Sequence, residues 1–296
     1  MEREADNPVQ TITQNHLGLL TRTYVDNKIP AKNGNSSPCW PAFAAHVEDL
    51  NKKAPEGVSF KVIFLTRHGE AVHNRKEGEV GSKEWNTKWV FLDGDGTSVW
   101  VDSDLTEMGH QQAAETGQIW SKLVEEQDMP LPALHVSPLQ RCLRTSRVIF
   151  QDMSERQGQH YQPIVKEMLR EITGRNTCNR RNTKSWIHEN FPEVVFEDGF
   201  AENDELFDPD ASETEQSVIV RQQAALEDIF TNEPNDFVAV TAHSVNGRGM
   251  MAAFEHEIVK MAPGSTMVFL LKGTKLSESQ SETLGDEWLT NTPSIV

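Results

Sequence analysis

Two histidines follow short apolar runs, and each stands beside polar residues that suit phosphate chemistry. His68 comes after residues 61–66 and directly follows Arg67, whereas His243 comes after a second apolar run and precedes Ser244. A neutral imidazole is nucleophilic near neutral pH, and a guanidinium binds two oxygens of a phosphate at once. These residue types suit transfer of a phosphoryl group to His68, with Arg67 on its oxygens and a protonated His243 as a further donor.

Two more side chains complete this chemistry. Arg141 lies just after a third apolar run, and Glu171 follows the run that begins at Pro163. Phosphoryl transfer needs further positive charge and a carboxylic acid that protonates the leaving oxygen, and we assign these roles to Arg141 and Glu171. An ordinary ion pair of Glu171 with Arg170 or Arg175 is the alternative. The histidines without a nameable partner are interpreted as ordinary core or surface residues, and they are His73, His110, His135 and His188.

The elements that must position these side chains alternate between strands and helices. Apolar or β-branched runs predict strands, and stretches with helical spacing predict the helices between them. The predicted strands cover residues 61–66, 133–137, 163–168, 237–241 and 266–271, and the predicted helices cover residues 40–50, 106–127, 138–150, 217–230 and a stretch beyond Gly247. This alternation predicts an α/β fold with a mostly parallel central sheet and helices on both faces. Ligands bind at the carboxyl ends of the strands in such sheets, which is where the candidate residues fall.

Three segments depart from the alternation. Residues 1–58 contain turn-rich pieces and predict an N-terminal extension packed on the core of a domain at residues 59–276. Residues 172–215 predict an inserted cap in which arginines come first and only acidic charges follow from residue 189 onward. We interpret this cap as a solvated surface insertion in preference to a lid that faces the substrate. Residues 277–296 are polar and predict a loose C-terminal tail.

The composition limits the partners and the compartment. The chain of 296 residues has 45 Asp and Glu against 28 Lys and Arg, and its net charge is −17. Such a charge disfavours nucleic acid and anionic membranes, although arginines clustered in a cleft still attract a small phosphorylated or anionic metabolite. Widely spaced cysteines and the lack of an apolar leader or a bilayer-length apolar stretch predict a cytoplasmic protein. We expect no metal and no cofactor, because no carboxylate cluster with metal-ligand spacing follows the strands.

Four ordered motifs carry a resemblance to a known family. They are Thr66-Arg67-His68-Gly69-Glu70 with Asn74, Leu105-Thr106-Glu107-Met108-Gly109, Ser137-Pro138-Leu139-Gln140-Arg141 with Thr145, and Thr241-Ala242-His243-Ser244. Together they resemble the histidine phosphatase superfamily, in the branch that includes cofactor-dependent phosphoglycerate mutases, over residues 60–272. The chain is also similar to a fungal phosphomutase-like group at Trp85, Trp89, Trp100 and residues 92–96 and 169–171.

The resemblance implies a role for each residue of the site. His68 corresponds to the phosphoryl acceptor, and Arg67 and Arg141 correspond to the phosphate ligands. His243 corresponds to the stabilising partner and Glu171 to the proton donor. Asn74 would contact phosphate or orient its loop, and Ser244 would offer its backbone N–H or its hydroxyl. The arginines of the insertion are expected to set substrate specificity, and they are Arg175, Arg180 and Arg181.

Two departures from the family pattern leave the substrate open. Residues 176–179 read Asn-Thr-Cys-Asn where the fungal group has His-Thr-Cys-Asp, and Val245 follows Ser244 where a glycine is usual soon after the second histidine. We expect a metal-independent phosphatase that hydrolyses a small phosphate ester through phosphohistidine. The alternatives are a phosphomutase, a biosynthetic enzyme that acts on an anionic metabolite, and a non-catalytic scaffold of the same fold. Retention of the whole set of site residues argues against the scaffold.

Overall fold

The computed structural model describes residues 40–275 of the chain. Its strands are β1 (Val58–Arg67), β2 (Ala133–Val136), β3 (Ile164–Val165), β4 (Val195–Phe196), β5 (Phe237–Ala242) and β6 (Thr266–Thr274). Its helices are α1 (Trp40–Lys53), α2 (Val72–Val80), α3 (Ser82–Thr87), α4 (Glu107–Gln127), α5 (Gln140–Arg156), α6 (Lys184–Asn190), α7 (Glu215–Asn232) and α8 (Ser244–Ala253). Residues 1–39 of the predicted extension and the predicted tail lie outside the described residues.

The six strands form a single sheet in the order β4-β3-β2-β5-β1-β6. The first five run parallel to one another, and β6 pairs antiparallel with β1. This confirms the predicted α/β fold with a mostly parallel sheet. Within the part of the chain that the structure describes, no helix is both long and apolar enough to cross a bilayer.

Strand β1 shows why helices cover both faces of the sheet. Its side chains alternate in direction, so Val62 and Phe64 pack into one cluster while Ile63 and Leu65 pack into another. The first cluster contains residues of α1, α4 and α5, and the second contains residues of α7 and α8. Phe64 lies fully buried with its ring centroid 4.8 Å from that of Trp120. Burial of each such side chain stabilises the fold by roughly 1.5–3 kcal/mol.

Helix α1 joins the described end of the predicted extension to this core. Trp40, Phe43 and Val47 recur at helical spacing on its buried face and belong to the first cluster. Past these residues, the side chain of Asn51 accepts a hydrogen bond from the Phe60 N–H at 2.7 Å and donates one to the Asp236 carboxylate at 2.9 Å. The helix is therefore held to the start of β1 and to the loop that precedes β5.

Helix α8 begins earlier than the sequence indicates. It starts at Ser244, directly after β5, whereas the helical pattern predicts a start beyond Gly247. Gly247 and Gly249 hide the true start because glycine disfavours helix interiors. Tertiary packing explains their presence, since a Cβ on Gly249 would lie only 2.8 Å from Val218 of α7.

The insertion at residues 172–215 is part of the sheet as well as a cover over it. Its strand β4 pairs parallel with β3 through Ile164 and Val195, which makes β4 an edge strand. The interpretation of a solvated insertion remains a prediction, because most of its acidic residues are exposed while several of its carboxylates are paired with cations. These pairs are Glu193 with Arg147, Glu197 with Lys166, Asp204 with Arg170, and Glu213 with Arg221.

Candidate functional site

Three neighbouring strands end at the same edge of the sheet and bring the candidate residues together. β1 and β2 both pair with β5, so their carboxyl ends converge. The backbone N–H of His68 donates to Ala242 O at 3.0 Å, and that of Ser137 donates to Thr241 O at 3.0 Å. These bonds continue the ladder just beyond the strands and fix the segments that carry the site.

The loop after β1 depends on two glycines. A Cβ on Gly69 would overlap the backbone of Gly109 in the first turn of α4, and a Cβ on Gly109 would overlap the backbone of Glu70. The loop is therefore pressed onto the start of α4 as closely as backbones permit. The N–H of Gly69 also donates to Thr145 Oγ1 at 3.1 Å. This contact fixes the loop against α5 as well.

The contacts of His68 are those of a neutral imidazole with one unprotonated nitrogen. Its Nδ1 donates to the carbonyl oxygen of Gly69 at 2.6 Å, so Nε2 carries no proton and accepts from Arg141 Nε at 3.3 Å. The side chain is buried, and burial, followed by the charges of Arg141 and Arg67, lowers its pKa well below the usual value. The nucleophilic Nε2 thus faces the group best suited to hold a phosphate.

Arg141 lies on the first turn of α5 and is fully buried. Besides the contact with His68, its terminal nitrogens donate to Cys178 O at 2.7 Å and to Asn179 Oδ1 at 2.9 Å. All three acceptors are uncharged, so its positive charge remains available to an anion.

His243 lies at the end of β5 with its ring centroid 5.1 Å from that of His68. Its Nε2 contacts Ser137 Oγ at 2.7 Å and lies 3.3 Å from the sulfur of Cys142. Burial and the charge of Arg141 lower its pKa well below the usual value. The protonated His243 expected from the sequence belongs to the phosphate complex, in which the negative charge of the phosphate would offset this shift, and it remains a prediction.

Arg67 is the last residue of β1, and only some of the hydrogen-bond donors of its side chain have a protein acceptor. One terminal nitrogen donates to Met261 O at 2.7 Å, and its buried Nε has no partner among the described residues. Burial lowers its pKa, the charge of Glu171 raises it, and the charges of Arg141 and Arg248 lower it further. An unpaired buried donor next to a second buried arginine is the arrangement that an anionic ligand would satisfy.

Glu171 points to the start of α8 and makes no ion pair with the neighbouring arginines. Its carboxylate accepts from the backbone N–H of Ile172 at 3.0 Å and from that of Val245 at 3.3 Å. Arg170 is instead paired with Glu167 and Asp204, and Arg175 lies over the ring of Phe91. The ion-pair alternative for Glu171 is thus wrong. The contact with position 245 uses the backbone N–H and therefore does not depend on the valine side chain.

Asn74 and Ser244 take more local positions. Asn74 Oδ1 accepts from the Ala71 N–H at 3.1 Å at the start of α2, and its Nδ2 lies 3.0 Å from His73 Nε2. Of the two roles implied for Asn74, these contacts are those of a residue that orients the loop. Ser244 begins α8, where unpaired backbone N–H groups favour an anion.

The three arginines of the insertion lie in two different environments. Arg175 and Arg180 line an open groove of about 550 Å³ together with Phe91 and Phe207, and Arg180 pairs with the Asp93 carboxylate at 3.1 Å. Arg181 is buried and donates to Glu167 and to four backbone carbonyls of the insertion, Asn182, Ala201, Glu202 and Asn203. The structure does not bring Arg181 to a surface where a substrate can reach it, in contrast to the sequence-based expectation.

Sequence reasoning missed residues that share the site. His73 is buried with its ring centroid 6.1 Å from that of His68, and its Nδ1 has no partner among the described residues. Its place five residues after His68 and beside Asn74 was the available signal. Asn179 was marked only as a departure from the family pattern, whereas Cys142 and Arg248 carried no comparable signal, because contacts across the fold bring them here. Within residues 40–275, no group of three or more His, Cys, Asp or Glu is arranged to hold a metal ion.

Comparison with known proteins identifies the family. Residues 63–262 match the family model of the histidine phosphatase superfamily (branch 1). A probable phosphoglycerate mutase of Arthroderma benhamiae is 36% identical over 257 residues, which cover 86% of this chain and 76% of that protein. Phosphomutase-like protein 3 of Candida albicans is 33% identical over 209 residues, which cover 70% of this chain and 64% of that protein. The chain therefore belongs to the histidine phosphatase superfamily, as its motifs indicate.

Solved structures overlap with the chain less closely. A mycobacterial glucosyl-3-phosphoglycerate phosphatase has 20% sequence identity and a TM-score of 0.42, and the match covers 72% of this chain and 91% of that one. This overlap is too small to bear on the activity.

Proposed function

We propose that this protein is a metal-independent phosphatase that hydrolyses a small phosphate ester through a phosphohistidine at His68. The observation that carries the proposal is the state of His68, whose Nδ1 proton is held by Gly69 O while Nε2 faces Arg141. A neutral imidazole with a fixed tautomer and a guanidinium at its free nitrogen is poised for attack on phosphorus.

The geometry supports the following sequence of steps. His68 Nε2 attacks phosphorus, the bond to the ester oxygen breaks, and the protonated carboxyl of Glu171 gives its proton to the leaving alcohol. Arg67 and Arg141 hold the non-bridging oxygens, and His243 stabilises the same group. In the second step the Glu171 carboxylate takes a proton from a water that attacks phosphohistidine, which releases inorganic phosphate and restores His68.

The test is to trap the intermediate. Phosphohistidine is acid-labile, so a rapid quench without acid after mixing with a labelled aryl phosphate should leave the label on His68. The variant His68→Ala should lose both the label and turnover, whereas His188→Ala, which changes an exposed histidine of α6, should retain both. A label on another residue, or full turnover in His68→Ala, would exclude this mechanism. Turnover should also be unchanged by a chelator.

A phosphomutase is the second candidate, and the names of the fungal relatives favour it. The same residues serve both reactions, since a mutase returns the phosphoryl group from His68 to a second position of the substrate. Incubation of labelled phosphoenzyme with phosphoglycerates separates the two. Release of labelled inorganic phosphate supports the phosphatase, and label recovered in a second phosphoglycerate supports the mutase.

The substrate and the compartment belong to the same proposal. We propose a small phosphorylated metabolite whose distal part lies in the groove beside Arg175 and Arg180, which offers cations and aromatic faces and includes Thr177, the neighbour in sequence of the Cys178 whose carbonyl accepts from Arg141. We also propose a cytoplasmic location, which the free thiols of Cys142 and Cys178 support.

A further inference from the structure

Asn179 lies at the junction between the site and the insertion. It ends the short 3₁₀ turn Thr177–Asn179 and is 4% exposed. Its side-chain oxygen accepts from Arg141 at 2.9 Å, its side-chain nitrogen donates to Ile172 O at 2.9 Å, and its backbone carbonyl accepts from Arg170 at 2.6 Å. Each end of the buried amide thus has a partner on a different segment.

We propose that Asn179 is the positioning residue that fixes Arg141 against the segment carrying Glu171, and that its neutral amide reserves the charge of Arg141 for an anionic substrate. This inference deepens the proposed function and rests on it for the identity of the anion. It concerns a residue at which this chain departs from the pattern of the group it resembles.

The partners of Asn179 determine why an amide is needed. A guanidinium only donates hydrogen bonds, so the oxygen of Asn179 must face Arg141, and a carbonyl only accepts, so the nitrogen must face Ile172. Aspartate has the same shape, but its second oxygen would lie against the carbonyl of Ile172 without a proton between them. The buried site therefore accepts asparagine in one orientation and disfavours its acid.

The same contacts connect the phosphate ligand to the proton donor. Ile172 accepts from Asn179 through its carbonyl and donates through its N–H to the carboxylate of Glu171 at 3.0 Å. In the proposed mechanism Arg141 holds non-bridging oxygens of the phosphate ester while Glu171 protonates its leaving oxygen. Misplacement of a reacting group by about 1 Å can cost about 10²-fold in rate, so a direct hydrogen-bonded link that fixes Arg141 relative to Glu171 favours catalysis.

The neutral amide also decides how much charge reaches His68. Arg141 has no carboxylate within salt-bridge distance among the described residues, and its acceptors are Cys178 O, Asn179 and His68. The charged and titratable groups that face His68 are Arg141, Arg67, His73 and His243. The uncompensated charge of Arg141 lowers the pKa of His68, after the larger effect of burial. A carboxylate at position 179 would offset that charge and weaken its effect.

Three variants separate positioning and charge from a merely structural role. Asn179→Asp keeps the size and adds a negative charge, Asn179→Ala removes both side-chain contacts without a charge, and Asn190→Asp adds the same charge on the exposed end of α6 as a control. The measurements are the pKa of His68 by NMR of labelled imidazoles and the dissociation constant of orthovanadate. If His68 of the unsubstituted protein is still neutral at the lowest pH at which the protein stays folded, the protonated fraction of His68 is compared between the variants at one fixed pH instead. Neither measurement requires turnover.

We expect Asn179→Asp to raise the pKa of His68 by about one unit and to weaken orthovanadate binding about tenfold or more, because a pair with Arg141 removes charge from both. Asn179→Ala should weaken orthovanadate binding with the pKa of His68 unchanged, and Asn190→Asp should change neither. Unchanged values in Asn179→Asp, or an equal pKa shift in Asn190→Asp, would overturn the inference. If Asn179→Asp does not fold, unaltered orthovanadate binding in Asn179→Ala overturns it. Failure of the proposed function would appear separately, as a lack of label on His68 while these responses persist.

Discussion

Two pairs of buried arginines lie close together in this protein and are treated in opposite ways. At the strand ends, Arg67 and Arg141 bond only to uncharged acceptors, which are the carbonyls of Met261 and Cys178, the amide of Asn179 and the imidazole of His68. No carboxylate lies within salt-bridge distance of either among the described residues. Their charges are largely removed from water and have no direct ion pair among the described residues, an arrangement that costs stability.

Arg170, just before the insertion, and Arg181 within it are paired with carboxylates. The Asp204 carboxylate accepts from Arg170 at 2.5 and 2.7 Å, and Glu167 contacts both arginines. Burial, the largest single effect, raises the pKa of Asp204, but the hydrogen bonds and charge of Arg170 together with the backbone N–H groups of Arg181 and Leu206 leave it lowered. These ion pairs hold the insertion on the sheet and leave little positive charge available to a ligand.

The contrast teaches that burial alone does not identify a functional arginine. A buried guanidinium that is paired with carboxylates stabilises structure, whereas one that is surrounded by neutral acceptors keeps its field for an incoming anion. Only residue 179 lies between the two pairs, with its carbonyl on Arg170 and its side chain on Arg141.

The largest expected effect on catalysis follows from removing the charge of Arg141. Arg141→Met keeps the bulk and removes the charge, so kcat/KM for a phosphate ester should fall by about 10³-fold or more, as when an arginine that stabilises a transferring phosphoryl group is lost. The free energy of unfolding should change little, because an uncompensated buried charge disappears with its donors. Steady-state kinetics and urea unfolding measure the two quantities.

Arg181→Met is the matched variant in the insertion. It removes one of the two arginines that pair with Glu167 and leaves several carbonyls without their donor, so it should lower the free energy of unfolding by about 3–5 kcal/mol. The KM per folded molecule should hardly change. A large rise in KM with normal stability would reverse the assignment and make Arg181 a substrate ligand.

The second effect concerns Glu171, the acid beside these cations. Glu171→Gln can neither give nor take a proton, so hydrolysis of alkyl phosphates should slow by about 10²-fold or more. Aryl phosphates, whose leaving oxygen hardly needs the proton, should show a burst of aryl alcohol and then a slow steady state with phosphorylated His68. A loss below about tenfold on alkyl esters would assign the role to Glu70 or Glu167.

The smallest effect is expected in the groove. Arg175 has no side-chain hydrogen bond within residues 40–275 and lies over the ring of Phe91, whereas Arg180 is already paired with Asp93. Arg175→Ala should therefore raise KM about threefold to tenfold for a substrate with a distal anionic group, with kcat unchanged, and Arg180→Ala should raise it less. Equal KM values for both variants and the unsubstituted protein, measured by initial rates, would remove the groove from the substrate site.

The sequence predicted the parts of the fold that depend on local pattern. Strands β1 and β5 contain the apolar runs 62–65 and 237–240, and α4 begins at its expected cap, where Thr106 accepts from the Gly109 N–H at 3.1 Å. Helices α2, α3 and α6 and strand β4 were not predicted, because they are short and their apolar residues follow no clear period. The glycines of α8 concealed its start because glycine disfavours helix interiors.

The sequence by itself determined the family, the order of the motifs and the residues available for chemistry, because these are properties of residue type and spacing along one chain. Only the tertiary structure decided what each polar residue faces. Arg170, Arg175 and Arg181 look alike in the sequence, yet carboxylates, an aromatic ring and backbone carbonyls hold them differently. Charge and hydrogen bonding act over a few ångströms in space, and in a sheet whose strands are far apart in sequence those neighbours are fixed by the fold.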